Sequence, residues 1–217
     1  AACAERGIQL LIIWEDDWRD RRPIVERMLK EKLGISDEPR VAARKTKVVL
    51  LTHQEIAPFM QMYHIQGAAS GSYYLGLKEK STDNLVAAMI LTRRGDTLTL
   101  DRYATSCNVP GGHSKLIAYV QREIPFSSLI TFADLCISDG ALYEKTGWTR
   151  DTILVPDYRY VYNGERVHKF NFRKKRFRDN PDLLWDVGLT ERQLAELNGL
   201  QKVWDCGKIR YRQEKND

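Results

Sequence analysis

Long hydrophobic runs are missing from this chain. Uninterrupted apolar stretches such as Leu10–Trp14 in GIQLLIIW fall far short of the roughly 20 residues needed to cross a bilayer, and no leader with a small-residue cleavage site opens the sequence. A membrane protein and a secreted one are therefore not expected, and the reading is cytoplasmic. Cysteine is sparse as well. Cys3, Cys107, Cys136 and Cys206 lie far apart, with no CxxC and no Cys/His pairing at metal-ligand spacing, which argues against a disulfide framework or a zinc site and for unpaired thiols in a reducing compartment. Internal repeats and low-complexity segments are absent too.

What is present is an ordinary globular composition, 43% hydrophobic and 29% charged over 217 residues. That length accommodates one main domain with an appendage, hardly two full ones. A chain opening on Ala1 reads as a processed product or as a piece of a longer polypeptide. The net charge of +5 is unevenly placed: KFNFRKKRFR gathers Lys169, Arg173, Lys174, Lys175, Arg176 and Arg178 around three phenylalanines. Two readings stand side by side, a solvated edge strand with its phenylalanines turned inward, or a surface that contacts the phosphates of a nucleic acid.

Along the chain, residues 8–14 read as a buried strand and Asp17–Leu33 as a helix, with Ile24, Val25, Met28, Leu29 and Leu33 at helical spacing and Gly34 as its C-cap. The polar, Pro39-containing stretch 35–46 reads as a linker. Lys47–Leu51 forms a short strand. Thr52 and Glu55 have the spacing of a capping box opening a helix towards Tyr63, with Pro58 shifting its start or kinking it. Strands follow at Tyr73–Leu77, Leu85–Thr92 and Thr97–Ala104 as an antiparallel meander, separated by STDN and RRGD. A helix at 114–123, a strand at Leu129–Ala133, a helix over 140–146 ended by Gly147, and aromatic strands at 157–162 and 167–172 complete the series. The order predicts an α/β chain with a mixed, mostly antiparallel sheet and helices on both faces.

Chemistry concentrates in NVPGGHSKLIAYV (108–120) and LITFADLCISDGALYEKTGW (129–148). Gly111–Gly112 between a strand and a helix lets backbone N–H groups converge on an anion at the positive end of the helix dipole, although a tight turn explains a glycine pair equally. Ala141–Trp148, ALYEKTGW, resembles the LYEKxGF signature of the GNAT acyltransferases, at the distance from the glycine loop that this family shows. The resemblance implies an acyltransferase fold over 47–217, acetyl-coenzyme A or another acyl donor held by Gly111, Gly112, Ser114 and Lys115, and Tyr143 as the general acid.

His64-Ile-Gln-Gly67, Phe132-Ala-Asp134 and Gly140-Ala-Leu-Tyr143 are similar to the pattern of the Mom-type DNA-modification proteins of phages, which implies a nucleobase amine as acceptor and His64 and Asp134 as catalytic residues. An amine nucleophile needs a base, and an aspartate closing a strand lies where open α/β sheets bind ligands. The opposing reading makes His64, Asp134 and Ser138 helix caps and Tyr143 a core residue. His53 and His113 read as structural.

GIQLLIIWEDDW with the following helix (1–34), and QKVWDCGKIRY (201–211), resemble parts of the Vsr-like homing endonucleases of phages that carry such a domain. Those nucleases hold Mg²⁺ with an acidic and histidine constellation. Glu15, Asp16 and Asp17 alone cannot supply it, so cleavage of DNA is not expected. Three functions remain: a GNAT-like transferase acting on DNA, a non-catalytic DNA-recognition domain, or a scaffold for a separate nuclease half.

Overall fold

The computed structural model describes residues 2–215. After a short helix α1 (Ala2–Glu5), the N-terminal segment forms α2 (Glu15–Asp20) and α3 (Arg22–Lys32). The single helix expected over 17–33 is thus two. Pro23 has no N–H to give and its ring would collide with the carbonyl one turn back, so the helix breaks at Arg21 and restarts with proline in its first turn. Gly34 ends α3 as expected, at φ +69°. The buried strand expected over 8–14 does not form. Ile8 and Leu10 are exposed, and the Ile12 N–H donates to the Cys136 carbonyl outside any sheet.

Residues 35–42 form a strap rather than a free linker. Val41 and Ala43 donate backbone N–H bonds to the carbonyls of Asn108 and Pro110, beside the glycine loop, and Asn108 donates to Pro39. From there the chain runs β1 (Thr46–Leu50), α4 (His53–Tyr63), β2 (Tyr73–Glu79), β3 (Leu85–Arg94), β4 (Thr97–Thr105), α5 (Gly112–Glu123), β5 (Ser128–Asp134), α6 (Ala141–Lys145) and β6 (Thr149–Leu154). The Thr52/Glu55 capping box is present in full, worth about 1 kcal/mol to α4. Pro58 is accommodated inside that helix.

The main sheet has seven strands in the order β1-β2-β3-β4-β5-β10-β6, where β10 (Lys208–Glu214) is the last strand of the chain. Every pairing is antiparallel except β4 with β5. Alternation along β3 shows why helices cover both faces. Ala87, Met89 and Leu91 join Leu116, Ile117 and Val120 of α5, while Ala88 and Ile90 join Ile56, Phe59 and Met60 of α4. Each of the larger side chains among these, taken fully out of water, contributes roughly 1.5–3 kcal/mol.

Between β6 and β10 the chain inserts a module with its own core. A three-stranded sheet, β8-β7-β9, is built from β7 (Tyr158–Tyr162), β8 (Glu165–His168) and β9 (Gln201–Trp204), and carries α7 (Lys174–Asp179) and α8 (Glu191–Leu197) around Tyr160, Phe172, Phe177 and Leu194. The aromatic strands expected in the main sheet lie here instead. The main sheet's last two positions go to TRDTIL (149–154) and KIRYRQE (208–214). The basic run is no edge strand either: residues 169–172 form a 3₁₀ turn and 174–179 form α7, with extended backbone at Arg173 between them. Phe172 and Phe177, five apart, would point to opposite faces of a strand, and the break at Arg173 lets both enter one core.

Candidate active site

Parallel strands β4 and β5 pair only from Thr97–Leu100 against Ser128–Thr131, and then part. Asp101 stands at the parting point as a bulge, since Leu100 pairs with Leu91 and Arg102 with Ile90, leaving Asp101 without an opposite residue. The divergence opens a cavity of about 180 Å³ at the carboxyl ends of both strands, the position where open sheets take ligands. His64, Asp134, Ser138 and Tyr143 all line it. The sequence motifs separated by up to eighty residues therefore meet at one place.

Asp134 is the last residue of β5. Its Oδ1 accepts the Cys136 N–H at 2.9 Å, an Asx turn that fixes the carboxylate at the cavity edge and leaves Oδ2 with no protein donor among the described residues. Ser138 closes the same loop: its N–H donates to the Asp134 carbonyl at 2.8 Å and its Oγ accepts from Gly140 N–H at 3.1 Å. That engagement gives Ser138 a turn-forming role.

Tyr143 projects from α6 beneath Thr131, with the two hydroxyl oxygens 3.4 Å apart. Its ring packs on Trp148, His113 and Tyr211. Burial holds its pKa above the usual phenol value, so the hydroxyl is a proton donor at neutral pH. Gly140, at φ +85°, lets the Tyr211 ring lie under the start of α6, where a Cβ would come 2.0 Å from the Tyr211 hydroxyl; Tyr211 then donates to Glu144 at 2.9 Å.

His64 follows α4 directly. Burial, then the guanidinium groups of Arg102 and Arg21, push its pKa down to about 3. The Gln66 N–H donates to its Nδ1 at 3.1 Å, which assigns the remaining proton of the neutral ring to Nε2. In this arrangement the neutral His64 ring offers a hydrogen-bond donor at Nε2. His113 is core, as expected: it is 3% exposed, its pKa is pushed down by burial to about 4, and both ring nitrogens lack a partner.

The glycine loop has the expected strand–loop–helix form, with Gly111 as a left-handed N-cap at φ +75°, but it does not fit a pyrophosphate cradle. Gly112 N–H donates to the Val109 carbonyl at 2.9 Å, and the Tyr103 hydroxyl faces the His113 N–H. Lys115 Nζ is held by the Ala43 carbonyl at 2.8 Å and by Thr46, fastening the segment before β1 to α5. The residues preceding the glycines, Asn108, Val109 and Pro110, carry no charge. Ser114 lies instead in a shallow groove of about 470 Å³ with Ile117, Ala118, Arg122 and Thr146.

The six basic residues of 169–178 divide. Lys169 pairs with Asp157, Arg173 with Glu191 at 3.2 Å, and Arg178 with Asp179 at 2.8 Å. Lys174, Lys175 and Arg176 make no ion pair among the described residues, and Lys175 and Arg176 share a surface groove with Phe170, which is 59% exposed and stacked near-parallel on His168. Asp16 and Asp17 are engaged by Arg166 at 2.7 Å each, and no cluster of three potential metal ligands occurs among the described residues. No helix among them is long and apolar enough to cross a membrane. Arg102, which depresses His64, escaped the sequence reading; a charged pair, Asp101–Arg102, interrupting an otherwise apolar meander was its available signal.

No protein-family model matches the chain, and no curated protein matches it. Among solved structures it resembles the ribosomal-protein-S18-alanine N-acetyltransferase of Escherichia coli (13% identity, 79% of this chain and 95% of that one, TM-score 0.47). It also resembles a Bacillus subtilis acetyltransferase in complex with CoA (12%, 78% and 99%, TM-score 0.46) and a GNAT family acetyltransferase from Elizabethkingia anophelis with acetyl-CoA bound (13%, 78% and 98%, TM-score 0.42). Likenesses at this level assign the chain neither to a family nor to an activity, and the α/β fold stands on its own strand order and pairing.

Proposed function

We propose that this chain is an N-acyltransferase of the GNAT type that moves a small acyl group onto a nucleobase amine of DNA, as the Mom-type likeness implies, with a phage setting. The observation that carries it is the cavity between the parting strands, where the Asp134 carboxylate, the Tyr143 hydroxyl and the His64 imidazole converge. Asp134 Oδ2 takes the proton from the attacking amine, and Nε2–H of His64 is a donor for the acyl oxygen as negative charge gathers there. Tyr143 returns a proton to the departing group. Coenzyme A is not assigned as the donor, because the glycine loop engages its own N–H groups and Lys115.

Mass spectrometry of nucleosides from DNA of cells expressing the chain tests this. A new acylated base, absent from cells expressing Asp134→Asn, is the expected result. Unmodified DNA in the presence of folded protein and a competent donor would overturn it.

The second reading, a DNA-recognition domain without chemistry of its own, is favoured by Lys175 and Arg176 beside exposed Phe170, with Lys174 also exposed. DNA bound by the folded chain while every nucleoside stays unmodified in the presence of a competent donor favours recognition alone, whereas a modified base lost in Asp134→Asn favours the transferase. A separate nuclease half would be a third partner, docking on the N-terminal segment.

A further inference from the structure

Past Asp134 the catalytic cavity continues into a second space of about 310 Å³. Three segments remote in sequence enclose it: the α2–α3 junction with Arg21, the parting strands with Arg102 and Asp134, and the inserted module with Arg159 and Arg166. The module's register sets the last two. Arg159 pairs with His168 and Arg166 with Val161, so with period-two alternation both arginines stand on the face opposite Tyr158, Tyr160 and Tyr162, whose rings fill the module's core.

Arg166 is fully engaged. It bonds both oxygens of Asp16 at 2.7 and 2.8 Å, pairs with Asp17 at 2.7 Å and lies 4.8 Å over the Trp14 ring. The other three are not. Arg159 makes no ion pair among the described residues. Among the described residues Arg102 reaches only the Asp101 carbonyl at 2.8 Å, its buried Nε having no partner there, and Arg21 only the His64 carbonyl, at 3.5 Å.

These charges feel one another. The Arg102 pKa is held down by burial and also by Arg159, with Asp101 pulling the other way. Asp16, Asp17 and Asp134 share the lining, but Arg166 takes the first two and Asp134 makes no ion pair among the described residues, so Arg21, Arg102 and Arg159 keep donors open towards the space. The planar guanidinium fork matches the oxygens of a phosphate.

We propose that this space is a phosphate-binding subsite, in which Arg21, Arg102 and Arg159 grip a phosphate of the acceptor while its amine reaches Asp134 in the adjoining cavity. The acceptor is then a nucleotide unit, whether free or within a strand. The assignment of the amine rests on the transferase reading; the phosphate site does not.

Calorimetric titration of the full chain, without any acyl donor, separates the two. Adenosine, adenosine 5′-monophosphate and a short single-stranded oligonucleotide lacking terminal phosphates are the probes. At least one phosphorylated probe is expected to bind about ten-fold or more tightly than adenosine. Arg102→Gln and Arg159→Gln should each remove most of that preference, again about ten-fold, while Arg192→Gln, an equal loss of charge on the module's exterior, leaves it in place. A preference for the monophosphate identifies a terminal phosphate, and a preference for the strand identifies a backbone diester. Arg159 is exposed, so its variant reports on the site even where Arg102→Gln impairs folding. Equal affinity for adenosine, absence of binding by every probe, or affinities unmoved by Arg159→Gln overturns the subsite. Binding that persists in a chain unable to transfer acyl groups leaves the subsite standing and overturns only the transferase.

Discussion

The Gln66 backbone N–H donates to His64 Nδ1 at 3.1 Å, and this one contact decides which proton the imidazole can give. A ring whose Nδ1 accepts carries its hydrogen on Nε2, and with its pKa pushed down to about 3 it stays neutral throughout the physiological range. A ring that donates from Nε2 is poorly placed to act as the base there, and the proposed mechanism accordingly gives that role to Asp134.

Activity should therefore respond differently at the two positions. Asp134→Asn is expected to lower kcat/KM by about 10² or more, the scale of a lost general base. His64→Gln, which keeps an N–H donor, should retain more activity than His64→Ala. The pH–rate profile should carry no inflection that disappears in His64→Gln between pH 5 and 8. Initial rates across pH on the three variants check this, and an inflection in that window lost with His64 would restore it as base.

Acid stability follows from the two buried histidines. His64 and His113 have folded-state values of about 3 and about 4, below the unfolded value of about 6.5. The unfolded chain binds more protons wherever pH lies between those limits, so stability is full above pH 6.5 and declines as pH falls towards 4. Tm measured from pH 7 to 4 should fall. His113→Phe, which fills the same aromatic surroundings without two unpartnered nitrogens, should flatten that decline.

Gly140→Ala should destabilise the fold. The left-handed backbone costs a residue with a Cβ roughly 1–2 kcal/mol, and collision with the buried Tyr211 ring adds to it. Urea denaturation should show a lower midpoint, with Gly147→Ala, whose added Cβ meets nothing closer than 3.9 Å, losing only the backbone part.

Lys174→Ala and Arg176→Ala should each weaken DNA binding across sequences and reduce the salt slope by about 1. Lys169→Ala, whose ammonium is already paired with Asp157, should change the slope less. Affinity measured over a salt series reads both quantities.

Cys136 is buried and its thiol is pushed up to about 12 by that burial. Iodoacetamide at pH 8 should label it slowly in the folded chain and readily after denaturation, since the thiolate is the nucleophile. Peptide mass spectrometry reads the difference.

Much of the main sheet was legible because its signals are local. The capping box at Thr52 and Glu55, the turns between the meander strands and the glycines closing the helices act within a few residues. The apolar period of α5 also acts locally, through one helix face. The sequence motifs likewise brought His64, Asp134, Ser138 and Tyr143 forward together, and all four line one cavity.

What only the tertiary structure decided is who pairs with whom across long separations. The apolar run 8–14 joins no sheet, and its backbone bond to a distant part of the chain is the one from Ile12 to Cys136. The aromatic strands 158–162 and 165–168 fold onto their own core. The last strand passes back over the inserted module to lie between β5 and β6. Roles changed for the same reason: Lys115 meets the strap carbonyls before any cofactor, and His64 meets Gln66 and two arginines. Composition and spacing set what each residue can do, while burial and neighbouring charge, which arise only on folding, set which of those things it does.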